Sequence, residues 1–142
     1  MPNSSSYKLV AGILMFSLTA IGQAQEEGSR WRLRVVDLKH TLKVEATIRF
    51  LGEAATESCI GGTWKRAVVE AKTVHNEKFF PLTAPLAYQV ENGVLTLGRT
   101  TVCDGYLFVS GKSEKAAIHG TYDAVSIHGE EKRGYFTLKQ VP

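Results

Sequence analysis

Across residues 41–51 apolar side chains fall on every second position, with Leu42, Val44, Ala46, Ile48 and Phe50 on one side and Lys43, Glu45, Thr47 and Arg49 on the other. Period two marks a strand with one dry and one wet face, which must find partner strands and an apolar layer to cover it. The same period recurs before it. Trp31, Leu33 and Val35 alternate with Arg32 and Arg34, and residues 37–40 are short enough to return the chain as a hairpin, so these two runs pair antiparallel.

Residues 52–62 form a connector rich in Gly, Ser, Thr and Glu that carries Cys59. The following run, 64–74, contains Val68, Val69 and Val74 in imperfect alternation. A strand is expected there, with a helix through 65–72 as the alternative. Residues 75–85 hold Pro81 and Pro85 beside Phe79 and Phe80 and read as a loop or edge segment, because proline cannot donate to a ladder. Asn92-Gly93 supplies the two positive-φ positions of a tight turn between the runs at 88–91 and 94–97, which makes a hairpin. Asp104-Gly105 introduces residues 106–109, apolar on both faces, and a polar turn at 111–115 leads into 116–122. A charged, glycine-bearing loop at 128–133 is expected to precede the last strand, 134–139. About eight short strands with regular turn signals and no amphipathic helix give an all-β class. Sequential hairpins favour a small antiparallel up-and-down β-barrel, with a β-sandwich as the alternative.

The N-terminal segment is excluded from that fold. Lys8 is followed by an apolar run from residue 9 to 21 with no acid upstream, the layout of a secretory signal. Gly22 and Ala24 offer small side chains for cleavage after Ala24, or after Gly22. A retained anchor is the competing reading, but roughly 13 apolar residues span about 20 Å as a helix, short of the roughly 30 Å hydrocarbon core. The expected organisation is therefore a signal peptide at 1–24 and a single domain at 25–142, exported to the periplasm or secreted, with no transmembrane segment in the mature chain. Loss of Lys8 takes the formal charge from +3 to +2, spread without a basic block, so neither nucleic acid nor a membrane surface is indicated as a partner.

The two cysteines, Cys59 and Cys103, both lie in the exported part, where an oxidising compartment lets a disulfide form and persist. A reactive thiol or a metal-ligand pair is the alternative, but neither Cys-x-x-Cys spacing nor a nearby His supports it.

Groups that would carry chemistry are sparse. The exported segment has no Gly-x-Ser-x-Gly elbow, no Ser-x-x-Lys and no glycine pattern for phosphate, and Ser110-Gly111-Lys112 reads as a turn. His40, His75, His119 and His128 have no metal-ligand spacing, and Glu26-Glu27 and Glu130-Glu131 fall in polar tails or loops. No catalytic residue, metal or cofactor is assigned. The remaining candidates are aromatic: Trp64, Phe79, Phe80, Tyr88 and Tyr106 are the expected contacts to a ligand or partner, with the Phe79-Phe80-Pro81 loop either capping a barrel or presenting an apolar patch.

Gly62-Thr63-Trp64 resembles the Gly-x-Trp that opens the first barrel strand of lipocalins and other calycins. Gly120-Thr121-Tyr122 followed by 134–138 is similar to the closing hairpin of a small calycin. The resemblance implies a Trp64 ring across the closed end of a barrel, against a basic residue such as Arg133. The motif departs from the family in its position, since two strands precede it.

Together these features lead to an exported, non-enzymatic binding module for a protein partner, for example a hydrolase to be inhibited, or for a small apolar ligand. A structural or assembly component of the cell envelope, docking through residues 79–82, is the alternative. A hydrolase would require Asp104, His119 or His128 to converge in a cleft.

Overall fold

The computed structural model describes residues 27–114 and 116–142. The signal peptide expected at 1–24 lies outside the described residues. Eight strands follow one another around a closed antiparallel barrel: β1 (Arg30–Asp37), β2 (Leu42–Ala54), β3 (Lys65–Val74), β4 (Leu86–Glu91), β5 (Val94–Arg99), β6 (Gly105–Lys112), β7 (Ala117–Ser126) and β8 (Gly129–Val141). Each strand pairs with its neighbour in sequence, and β1 closes on β8 from Arg30 opposite Val141 to Asp37 opposite Gly134. The up-and-down barrel, rather than the sandwich, is the architecture.

Alternation in β2 works as its sequence requires. Val44, Ala46, Ile48 and Phe50 are buried in the interior while Arg49 is exposed. Outside, cross-strand charges pair: Arg34 with Glu45 at 2.9 Å, Arg66 with Glu53 at 2.7 Å, and Glu70 with both Arg30 and Arg49. Such exposed pairs contribute little each, and their main effect is to fix register.

The imperfect pattern in β3 has a structural cause. Val69 lies opposite Ile48 and Ala71 opposite Thr47, so Glu70 is the extra residue of a β-bulge, and the alternation slips there. The segment is a strand, not the helix held open as an alternative. At β4 and β5 the Asn92-Gly93 turn forms with φ of 52° and 77°, values that Asn and Gly tolerate best.

The charged segment 128–133 is mostly strand, not loop. β7 runs to Ser126 and β8 starts at Gly129, joined through Ile127 and His128, so Glu130, Glu131 and Lys132 pair with Val125, Ala124 and Asp123. Their side chains are exposed, so the run lacks the apolar face by which a strand is read from sequence.

Inside the barrel, Trp31, Phe50, Tyr88, Tyr122, Phe136, Leu33, Leu95, Leu97, Ile118 and Leu138 form one core, each no more than 4% exposed. The Phe50 ring makes T-shaped contacts with both Trp31 and Tyr88, with centroids 6.2 and 4.5 Å apart. Residues 75–85 dip into one end of this core. Phe80 and Leu82 are buried with it, and Phe79 packs against it. Glu77 anchors the loop by accepting the backbone N–H groups of Leu82 and Thr83 and the Thr83 hydroxyl.

The β3–β4 ladder is short, only Lys65, Ala67 and the residue between them being paired, opposite Tyr88, Leu86 and Ala87. The β2–β3 connection leaves the other end of the barrel and runs back along the outer wall to the β5–β6 connection, where the Cys59 N–H donates to the Thr100 carbonyl and the Cys59–Cys103 disulfide joins the two with Cα atoms 5.3 Å apart. A disulfide at this position ties the connection to the strands it passes over.

Candidate functional site

The strand ends where the 75–85 loop enters also carry the β1–β2, β5–β6 and β7–β8 connections. Lower in the barrel the inward positions of β6 and β7 are filled by Val109, Ile118 and Tyr122, all fully buried. Toward this end the same faces carry small residues. Residues directly opposite one another share a face, and Ala124 stands opposite Leu107, Ser126 opposite Gly105, and Gly129 opposite Ser126. The loss of side-chain volume opens a cleft of about 420 Å³ above the core. Its charged lining is Arg99, Arg133, Glu130 and Glu131, with His128 beside them.

Arg99 continues the inward series Leu95, Leu97 at the last position of β5, opposite Leu107. A guanidinium on the dry face of a barrel has to be satisfied from the barrel itself. One nitrogen, Nη2, donates to the Gly105 carbonyl at 2.9 Å, while Nε is buried without a hydrogen-bond partner. Arg133 arrives by a bulge in β8. Tyr122 lies opposite Gly134 and Asp123 opposite Lys132, so Arg133 is the extra residue of β8. Gly134 permits this, because a Cβ there would sit 1.9 Å from the Val36 carbonyl oxygen.

Between the two arginines and the core lies Tyr122. Its hydroxyl donates to the carbonyl of Phe79. Burial holds the phenol above its ordinary pKa, although the nearby charges of Arg133 and Arg99 act in the other direction. Tyr122 is therefore a neutral donor at neutral pH and supplies no counter-charge. Among the described residues Arg30, Arg34, Arg49 and Arg66 are ion-paired, whereas neither Arg99 nor Arg133 lies within ion-pair distance of a carboxylate.

The aromatic candidates do not gather at this cleft. Trp64 precedes β3 on the outer wall, 5% exposed, where its ring stacks on Phe108 with centroids 5.6 Å apart and its Nε1 donates to the Gly61 carbonyl. The position implied by the family resemblance, across the barrel end against Arg133, is not the one it occupies. Tyr106 also stacks on Phe108, at 5.7 Å, and is half-buried. Tyr88 is interior, its hydroxyl donating to the Leu51 carbonyl at 2.8 Å. Phe79 and Phe80 both meet the Tyr122 ring edge-on, at 5.1 and 5.3 Å, as the cap of the core.

A second cleft, of about 600 Å³, runs along the outer wall where β3 and β4 diverge, between residues 53–58, 66–69, 82–87 and Thr100–Thr101. Its lining is mostly small apolar and hydroxyl side chains, with Glu57 and the exposed Arg66–Glu53 ion pair, whose two charges are already paired with each other. Asp104, His119 and His128 are also dispersed: Asp104 lies in the β5–β6 connection, His119 faces outward opposite Thr137, and His128 is in the β7–β8 turn. Among the described residues no group of three His, Cys, Asp or Glu side chains is placed to hold a metal ion, and no helix is long and apolar enough to cross a membrane.

Arg99 was legible as a charge on an otherwise apolar face, two positions beyond Leu97. Arg133 is indicated in the sequence only through the family resemblance, as a partner for Trp64, because the bulge that turns it toward Tyr122 has no local sequence signal. No protein-family model, curated protein or solved structure matches the chain.

Proposed function

We propose that the protein is an exported, non-catalytic binding module that engages a protein partner at the barrel end carrying Arg99 and Arg133. One observation carries this reading: two arginines without a carboxylate partner line an open cleft above a neutral tyrosine. A charge desolvated without a partner is costly, so such a pair persists best where a ligand completes it. Inhibition of a hydrolase through an acidic loop inserted in the cleft is one concrete form of this function. The exposed disulfide suits an oxidising compartment.

The packed core weighs against a carrier of apolar ligands, because Phe80 and Tyr122 occupy the space such a ligand would need. Burial of Phe80 likewise removes the ring from the apolar docking loop that an envelope assembly component would present.

A photo-crosslinking residue at Ser126, on the cleft, tests the reading against one at Arg32, exposed on the β1 wall. In envelope extract a single defined adduct is expected at Ser126 and absent at Arg32. Equal labelling at both positions, or none at Ser126, overturns the assignment. Screening the mature protein against lysozymes and proteases tests the inhibitory form, which is excluded if no activity changes at excess protein.

A further inference from the structure

We infer that the cleft is a carboxylate site, in which a singly charged carboxylate inserts between Arg99 and Arg133 and replaces the counter-ion that the fold withholds. This deepens the reading above by naming the chemistry of the group recognised. Arg99 has four of its five guanidinium donors uncommitted to the Gly105 carbonyl, and the planar fork of arginine matches the two oxygens of a carboxylate. Arg133, turned inward by the β8 bulge, supplies the opposing charge. Bulges are a recurrent means of re-aiming one side chain at a binding site.

The remaining groups around the cleft set its selectivity. Glu130 and Glu131 line the same opening and are exposed, so they repel incoming anions and penalise a dianion more than a monoanion. His128 stands with them at the rim. Small inward residues, Gly105, Ala124 and Gly129, leave space for the short stem of a carboxylate, whether a small organic acid or a glutamate side chain of a partner. The site is thus matched to a carboxylate over a phosphate.

The test is a titration of the full mature protein, labelled with ¹⁵N at arginine, following the Arg99 Nε–H resonance at fixed ionic strength. The probes are acetate, an acetylated and amidated Gly-Glu-Gly peptide, inorganic phosphate and chloride. A saturable shift with acetate and with the peptide, and a weaker response to phosphate, is expected. Saturation by acetate alone identifies a small organic acid as the source, and tighter binding of the peptide identifies a partner's side chain. Arg133→Gln should weaken binding about tenfold or more, the loss of one charge-assisted pair, with the thermal midpoint retained. Arg133→Lys, which keeps the charge but not the fork, should fall between the two and provides the comparison if the glutamine variant does not fold. A linear response indistinguishable from that to chloride, tighter binding of phosphate, or unchanged affinity in both Arg133 variants overturns the inference. Failure here with a defined Ser126 adduct would leave the partner reading standing, whereas carboxylate binding without any adduct would remove only the partner.

Discussion

The hydroxyl of Tyr122, on β7, donates to the backbone carbonyl of Phe79, 43 residues away in the loop that caps the barrel. One hydrogen bond thereby ties the cap of the core to the floor of the arginine-lined cleft. Both rings of the cap, Phe79 and Phe80, also rest edge-on against Tyr122. The position of the loop and the shape of the cleft are set by the same residue.

Tyr122→Phe should keep this packing and remove only the hydroxyl, leaving the Phe79 carbonyl without its partner. The expected loss is about 1–3 kcal/mol in chemical denaturation, the range for a buried acceptor left unsatisfied. Amide exchange should accelerate at Phe79 and Phe80, whose N–H groups donate to the Asn76 carbonyl within the same loop. Unchanged stability and unchanged exchange at both amides would show that the rings alone position the cap.

Phe80 is fully buried between the strands, and truncation to alanine removes most of the plug. Phe80→Ala should cost about 3–5 kcal/mol, the transfer term of the ring plus the cavity it leaves. The variant should also bind an apolar fluorescent dye that the native barrel excludes. A native-like midpoint with no dye binding would mean that the loop collapses to refill the core.

How far the chain could be read from its residues differs along its length. Strands whose outer face is wet, such as β2, declare themselves through alternation, and Asn92-Gly93 declares its turn through backbone freedom. Closure into one barrel was favoured by the order of hairpins, while the pairing of β1 with β8 is a long-range event that no local pattern encodes. Alternation fails where a bulge adds a residue, at Glu70 and at Arg133. It fails also where the hairpin projects with both faces exposed, as at Glu130 and Glu131. The cleft lies where these failures coincide, so the aromatic candidates mark the cap and the outer wall, and Arg133 enters the sequence reading only as the basic residue implied opposite Trp64.

Three carboxylates are held below their ordinary pKa range and link folding to pH. Asp37 is lowered first by the N–H of Thr41, then by Lys43 and Lys39. Glu70 is lowered first by Arg30 and then by Arg49. Glu77 is raised by its burial but lowered more by Thr83 and Leu82. With each pKa lower in the folded state, the unfolded chain binds more protons in the acid window. The stabilisation is therefore complete above the unfolded carboxylate values, about pH 4–5, and is lost as pH falls through the folded ones. Thermal scans should give a flat midpoint from neutral pH to about 5 and a steep decline below about 4. Glu77→Gln should reduce that slope; an identical profile would assign the decline to other groups.

The Cys59–Cys103 disulfide closes a span of 44 residues and holds the β2–β3 connection against the wall where Trp64 is buried. Chain-entropy reasoning gives about 4 kcal/mol for a loop of this size, an upper figure when the unfolded chain retains structure. Both half-cystines are exposed, so a mild reductant should reach them without unfolding the barrel. Since the connection is tethered at this end by little besides the disulfide and the Cys59 N–H bond to Thr100, reduction should release it locally before the global transition. Trp31 lies inside the barrel and is 2% exposed, so a Trp31→Phe background isolates the response of Trp64. In that background reduction should shift the emission of Trp64 to the red and open it to iodide quenching, while far-ultraviolet circular dichroism keeps its β signature. The paired Cys59→Ser and Cys103→Ser variant should reproduce both changes and lower stability by about 2–4 kcal/mol. If Trp64 stays shielded in the reduced protein, its stack on Phe108 is sufficient to hold the connection down, and the disulfide acts only on the unfolded chain.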